Sequence, residues 1–197
     1  GLGAGFRIAM RDLEIRGAGN ILGTAQSGHI INIGFDLYCQ LLQQAVEELQ
    51  GKRIRIRADV PIRLDFVSTN EAEYVSSQST LDPAFIPADY ISQPQMRIQA
   101  YKKLAQANSK EALQKLARDW RDQFGPPPEA VGNLLTLNEI KLMADRVKVV
   151  AIEVKDSKVM LTRGGDYLLV GDRFPRLTSG EGENRLASLL VLLSRLS

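Results

Sequence analysis

The chain has 197 residues, 44% of them hydrophobic but only 6% aromatic, so a core of Leu, Ile and Val is expected. Its 25 Lys and Arg against 23 Asp and Glu leave a formal charge of +2, which excludes nucleic-acid binding by bulk positive charge while allowing a local basic stripe. One cysteine, Cys39, excludes an intramolecular disulfide; with the single histidine, His29, it also excludes a conventional zinc cluster.

In chain order, Gly1-Leu2-Gly3-Ala4-Gly5 opens without a methionine and reads as the cut end of a longer protein. Residues 12–16 make a short helix stopped by Gly17 and Gly19, and Gly23 and Gly28 punctuate the next segment. From Phe35 the apolar residues Tyr38, Leu41, Leu42, Ala45, Val46 and Leu49 recur at steps of three and four, an amphipathic helix that Gly51 ends. Lys52-Arg53-Ile54-Arg55-Ile56-Arg57 alternates basic and apolar residues as a strand does. Two readings stand for it: a solvated edge strand, or a row of phosphate contacts through Lys52, Arg53, Arg55 and Arg57.

Ile62, Leu64 and Phe66 continue as a second strand, and residues 68–81 are polar and read as an exposed loop. Residues 83–94 hold three prolines in an extended connection. Three helices follow: one over 95–107; a second capped by Ser109, running to Phe124 and broken by Gly125-Pro126-Pro127-Pro128; a third opening at Glu129. A hairpin is expected for 147–161 around Asp156-Ser157, a short strand near Tyr167 to Val170, and a closing helix over 185–196. The fold class is α+β: an N-terminal helical hairpin, then helices packed on a short, mainly antiparallel sheet. The domains divide as 1–51 and 52–197.

The chemistry is mostly negative. No Gly-rich loop ends in Gly-Lys-Ser/Thr, so no nucleoside triphosphate site can be argued within these residues. His29 has no partners for a triad, and Asp12 and Glu14, two apart on a helix, do not face each other. The chain is read as non-enzymatic on its own. Without a signal sequence or a run of 18 apolar residues, it is expected to be cytoplasmic and to have no membrane partner.

The stretch Gly5-Phe6-Arg7-Ile8-Ala9-Met10-Arg11-Asp12-Leu13-Glu14-Ile15-Arg16-Gly17-Ala18-Gly19-Asn20-Ile21-Leu22-Gly23, with Gln26-Ser27-Gly28, closely resembles the TRG translocation motif. Two kinds of superfamily 2 DNA motor share that motif, the transcription-repair coupling factors and the fork-reversing helicase RecG. Phe85-Ile86-Pro87, Tyr90-Ile91, Arg97, Tyr101-Lys102-Lys103-Leu104-Ala105 and Asp122-Gln123-Phe124-Gly125 with Pro128 resemble the C-terminal domain of the coupling factors. A RecG-like helicase and a DNA-binding module remain alternatives.

The resemblance implies that Asp12, Glu14, Arg16, Gly17, Gly19, Gly23, Gln26 and Gly28 couple a motor to movement along duplex DNA. Arg16 either meets a phosphate or pairs locally with a carboxylate. ATP and Mg would be bound by the parent motor, with no cofactor in these residues. The implied partners are double-stranded DNA, RNA polymerase and the excision-repair protein UvrA, all through the parent, and the parent's own N-terminal UvrA-recruiting module. The C-terminal domain is implied to mask that module. Asp119, Asp122 and Gln123, at an acidic helix end, are the candidate inhibitory contact, Asp119 and Asp122 sharing a face at i and i+3. Two departures stand out: Gln123 takes the place of a frequent arginine, and 68–81 is longer than the usual connection.

Overall fold

A computed structural model describes residues 60–76, 80–178 and 184–197. Strand β1 (Ile62–Leu64) is followed by β2 (Val67–Ser68), helix α1 (Glu71–Ser76) and β3 (Asp82–Pro83). Helices α2 (Pro94–Gln106), α3 (Lys110–Phe124) and α4 (Glu129–Arg146) come next. Strands β4 (Ala151–Lys155), β5 (Lys158–Arg163) and β6 (Asp166–Tyr167) lead to the closing helix α5 (Arg185–Ser194).

The main sheet has four strands in the order β1-β4-β5-β6. β4 and β5 form the expected hairpin, with Ala151 opposite Thr162 and Lys155 opposite Lys158. Its two turn residues, Asp156 and Ser157, take φ of 49° and 65°, as a two-residue turn that follows the strand twist requires. The Asp156 N–H donates to Asp65 Oδ2 at 2.8 Å, which ties this turn to the end of β1. β6 is antiparallel to β5, whereas β1 joins β4 in parallel with Ile62 beside Ile152. The sheet is thus mainly antiparallel with one parallel edge.

Period two sorts the strands. Ile62, Leu64, Ile152, Val154, Val159 and Leu161 all point into the core, while Arg63 and Lys155 face water. Helix α4 lies at the centre, with Val131, Leu134, Leu137, Ile140 and Ala144 essentially inaccessible. It packs against both α3 and α5, the latter through Leu186, Leu189 and Leu193. Burying each such side chain is worth about 1.5–3 kcal/mol before conformational entropy is set against it.

Two expectations need correction. The strand expected over 62–66 ends at Leu64; a turn follows, and Val67–Ser68 pairs in parallel with Asp82–Pro83 in a separate two-stranded sheet. The stretch 68–81, expected as a loop, contains α1. Asn70 starts it, its Oδ1 accepting from the Glu73 N–H at 3.0 Å. None of its residues is buried, so it shows no apolar periodicity. Glu71 accepts from the Ala88 N–H at 3.1 Å, and Tyr74 meets Phe85 edge-on at 5.9 Å, pinning α1 to the connection that leads into α2.

Candidate functional site

The site begins with the cap of α3. Ser109 Oγ accepts from the Ala112 N–H at 3.1 Å and satisfies one of the free donors of the first turn. Leu113, Leu116 and Trp120 then recur on one face and are buried. Asp119, Asp122 and Gln123 therefore fall on the solvent side, and all three are exposed. Gly125 stops the helix with φ of 91°, a left-handed backbone that a side chain would strain, and its N–H returns to the Arg121 carbonyl at 3.0 Å.

This helix end is fastened from below by the connection 85–92. The Tyr90 hydroxyl donates to the Gly125 carbonyl at 2.9 Å, with the Trp120 carbonyl also within reach at 3.2 Å. Its ring meets Phe124 edge-on at 5.8 Å. The connection is clamped in turn by α2: the Ile86 N–H donates to Tyr101 Oη at 2.7 Å, and Arg97 Nη1 donates to the carbonyls of Ile91 at 2.7 Å and Ser92 at 3.1 Å. Ile86, Tyr90, Ile91, Arg97 and Tyr101 are thus one fastening that sets where the end of α3 stands. Sequence reading picked these residues out by resemblance alone and missed the fastening. Phenols and a guanidinium beside a proline-rich connection were the available signal.

Burial holds the Tyr90 hydroxyl above its ordinary pKa of 10.0, an effect opposed by the positive charge of Arg121. Since the folded value lies above the unfolded one, the stability Tyr90 contributes is fully present below about pH 10 and is lost as pH rises through the folded value. Tyr90→Phe should cost about 1 kcal/mol at neutral pH in urea unfolding. The gap between the two proteins should narrow in alkaline solution.

The electrostatics of the site differ from expectation. Arg118 and Arg121 interleave with Asp119 and Asp122, so the last turns of α3 alternate in charge rather than being acidic. Asp119 Oδ2 lies 3.4 Å from Lys115 Nζ one turn back; both side chains are largely exposed, so this pair holds Asp119 weakly. Among the described residues, no group of three or more His, Cys, Asp or Glu is placed to hold a metal ion. No described helix is long and apolar enough to cross a membrane. The other sequence-derived candidates, Asp12, Glu14, Arg16, Gly17, Gly19, Gly23, Gln26 and Gly28 and the basic Lys52, Arg53, Arg55 and Arg57, lie outside the described residues.

Comparison with known proteins places this architecture. Residues 82–166 match the TRCF domain family. The transcription-repair-coupling factor of Myxococcus xanthus is 36% identical over 98% of this chain, which covers 15% of that protein. The Haemophilus influenzae protein of the same name is 39% identical over 77% of the chain, and that of Bacillus subtilis 37% over 82%; the chain covers 12% of each. The chain therefore spans a small part of the curated relatives it matches. A crystal structure of the C-terminal domain of transcription-repair coupling factor superposes with a TM-score of 0.50 over 72% of this chain and 95% of that one, at 19% identity, a likeness of fold. Taken with the chain-long matches, these findings show that the chain belongs to the transcription-repair coupling factor family and corresponds to the C-terminal part of its members.

Proposed function

We propose that the chain is the C-terminal part of an ATP-dependent DNA translocase that displaces stalled RNA polymerase and recruits excision repair, and that residues 52–197 act in it as a non-catalytic inhibitory domain. In this reading residues 1–51 couple the motor to DNA movement, and ATP and Mg are bound elsewhere in the parent. The work takes place in the cytoplasm. The inhibitory domain covers the parent's UvrA-recruiting module, using Asp119, Asp122 and Gln123.

One observation supports the docking surface above the rest: the end of α3 is fastened by Tyr90, and Asp119 and Asp122 stand exposed on it one turn apart. The two aspartates suit cations on the partner, and the interleaved, exposed Arg118 and Arg121 suit its anions. Gln123 offers an amide where an arginine would offer a charge, so the contact should lean more on the two aspartates.

Calorimetry with the separately expressed UvrA-recruiting region tests this. Saturable binding is expected, and the double change Asp119→Ala with Asp122→Ala should weaken it roughly 5- to 30-fold, the effect of losing two exposed charged contacts at about 0.5–1 kcal/mol each. An unchanged affinity would remove the end of α3 from the interface. A second reading, duplex DNA binding through Lys52, Arg53, Arg55 and Arg57, is favoured by the four cations within residues 52–57. It requires an affinity of the chain for duplex DNA that falls steeply with salt.

A further inference from the structure

Helix α1 buries none of its own residues, yet one of its faces is committed. Glu71 and Tyr74, at i and i+3, share that face and turn it to the connection 85–92. Tyr74 meets Phe85 edge-on at 5.9 Å, and the two carboxylate oxygens of Glu71 lie 3.3 and 3.1 Å from the Ala88 nitrogen, whose N–H donates to them.

Ala88 opens a tight turn. The Pro87 carbonyl accepts from the N–H groups of Tyr90 and Ile91 at 3.1 and 3.2 Å, so the Ala88 N–H points back out of the turn, as the first N–H groups of a helix do. Glu71 supplies its acceptor. Two residues on, the Tyr90 hydroxyl donates to the Gly125 carbonyl at 2.9 Å, and the Gly125 N–H closes the last turn of α3 on the Arg121 carbonyl at 3.0 Å. Tyr101 and Arg97 hold the connection on either side of this turn, at Ile86 and at Ile91 and Ser92, whereas Glu71 holds the turn itself.

We propose that Glu71 is a positioning residue for the end of α3: it sets the 87–91 turn and, through Tyr90, the place of Asp119 and Asp122. The bond to Ala88 is solvent-exposed, so it adds little to global stability and acts on the local opening of the turn. The effect of Glu71 on a partner rests on the inhibitory contact proposed above; its effect on α3 does not.

Amide hydrogen exchange of the whole chain, read by nuclear magnetic resonance, tests this without a partner. In Glu71→Ala the Ala88 amide should exchange roughly tenfold faster and the Gly125 amide roughly threefold faster, while Leu137, at the centre of α4, keeps its rate. Glu71→Gln retains an oxygen that accepts from Ala88 and should leave both rates close to those of the unaltered chain. An unchanged Gly125 rate in Glu71→Ala overturns the proposal. So does an equal acceleration of Leu137, which would mean a general loss of stability, or the same acceleration of Gly125 in both variants, which would deny the bond its role. Calorimetry with the UvrA-recruiting region then separates the two readings: Glu71→Ala should bind roughly two- to fivefold more weakly. A faster Gly125 amide with unchanged affinity would uphold Glu71 as the positioning residue and remove the inhibitory contact instead.

Discussion

Truncating Trp120 to alanine should lower the unfolding free energy by about 3–5 kcal/mol, a large share of the 5–15 kcal/mol typical of a domain. The indole is 3% exposed and completes the Leu113, Leu116, Trp120 stripe that seats α3 on the core. Neighbours in a close-packed interior relax only partly, so the lost contacts are joined by a cavity penalty. The effect should reach the candidate site, because the Trp120 carbonyl lies beside the Tyr90 hydroxyl that fastens the helix end. Urea unfolding followed by far-ultraviolet circular dichroism measures the loss, since the variant has no tryptophan left to report by fluorescence. Trp120→Phe should fall between the two proteins. A Trp120→Ala cost below about 1 kcal/mol would mean that α3 is not seated as described.

The second large effect is expected at Asn133, a polar side chain 3% exposed in the middle of the core. Its Nδ2 donates to the Pro83 carbonyl at 2.8 Å, and its Oδ1 accepts from Asn184 Nδ2 at 3.2 Å. One amide therefore joins α4 to β3 and to the cap of α5. Asn133→Ala leaves a buried carbonyl without its donor and should cost about 2–3 kcal/mol. Asn133→Asp should cost more at neutral pH, because a carboxylate has no proton to offer Pro83 and is itself a buried charge. That order separates a hydrogen-bonding role from simple space filling: if the aspartate variant proves as stable as the alanine variant or more so, the bridge contributes little.

Legibility in the sequence depended on how far apart the determining residues lie. Helix α3 was readable because its cap, Ser109, its buried stripe and its stop, Gly125 before the prolines, all lie within one short window. The hairpin of β4 and β5 was readable for the same reason, although Val147 and Val149, apolar and buried, drew its expected start back ahead of Ala151. Helix α1 escaped because a helix that buries nothing leaves no period in its sequence. The parallel pairing of Ile62 with Ile152 joins distant parts of the chain, and no local pattern specifies it.

The candidate site divides along the same line. That Asp119 and Asp122 share a face followed from helical spacing. The Tyr90 fastening depends on tertiary contact between the 85–92 connection and the end of α3, and the Asn133 bridge on contact among three separate elements.

Masking, rather than contact alone, is the central claim, and competition tests it most directly. The UvrA-recruiting region is immobilised, and UvrA capture is followed by surface plasmon resonance with increasing amounts of this chain in solution. The proposed function predicts that the chain suppresses capture, and that the Asp119→Ala, Asp122→Ala protein suppresses it less. Undiminished UvrA capture on a surface already saturated with the chain would contradict it.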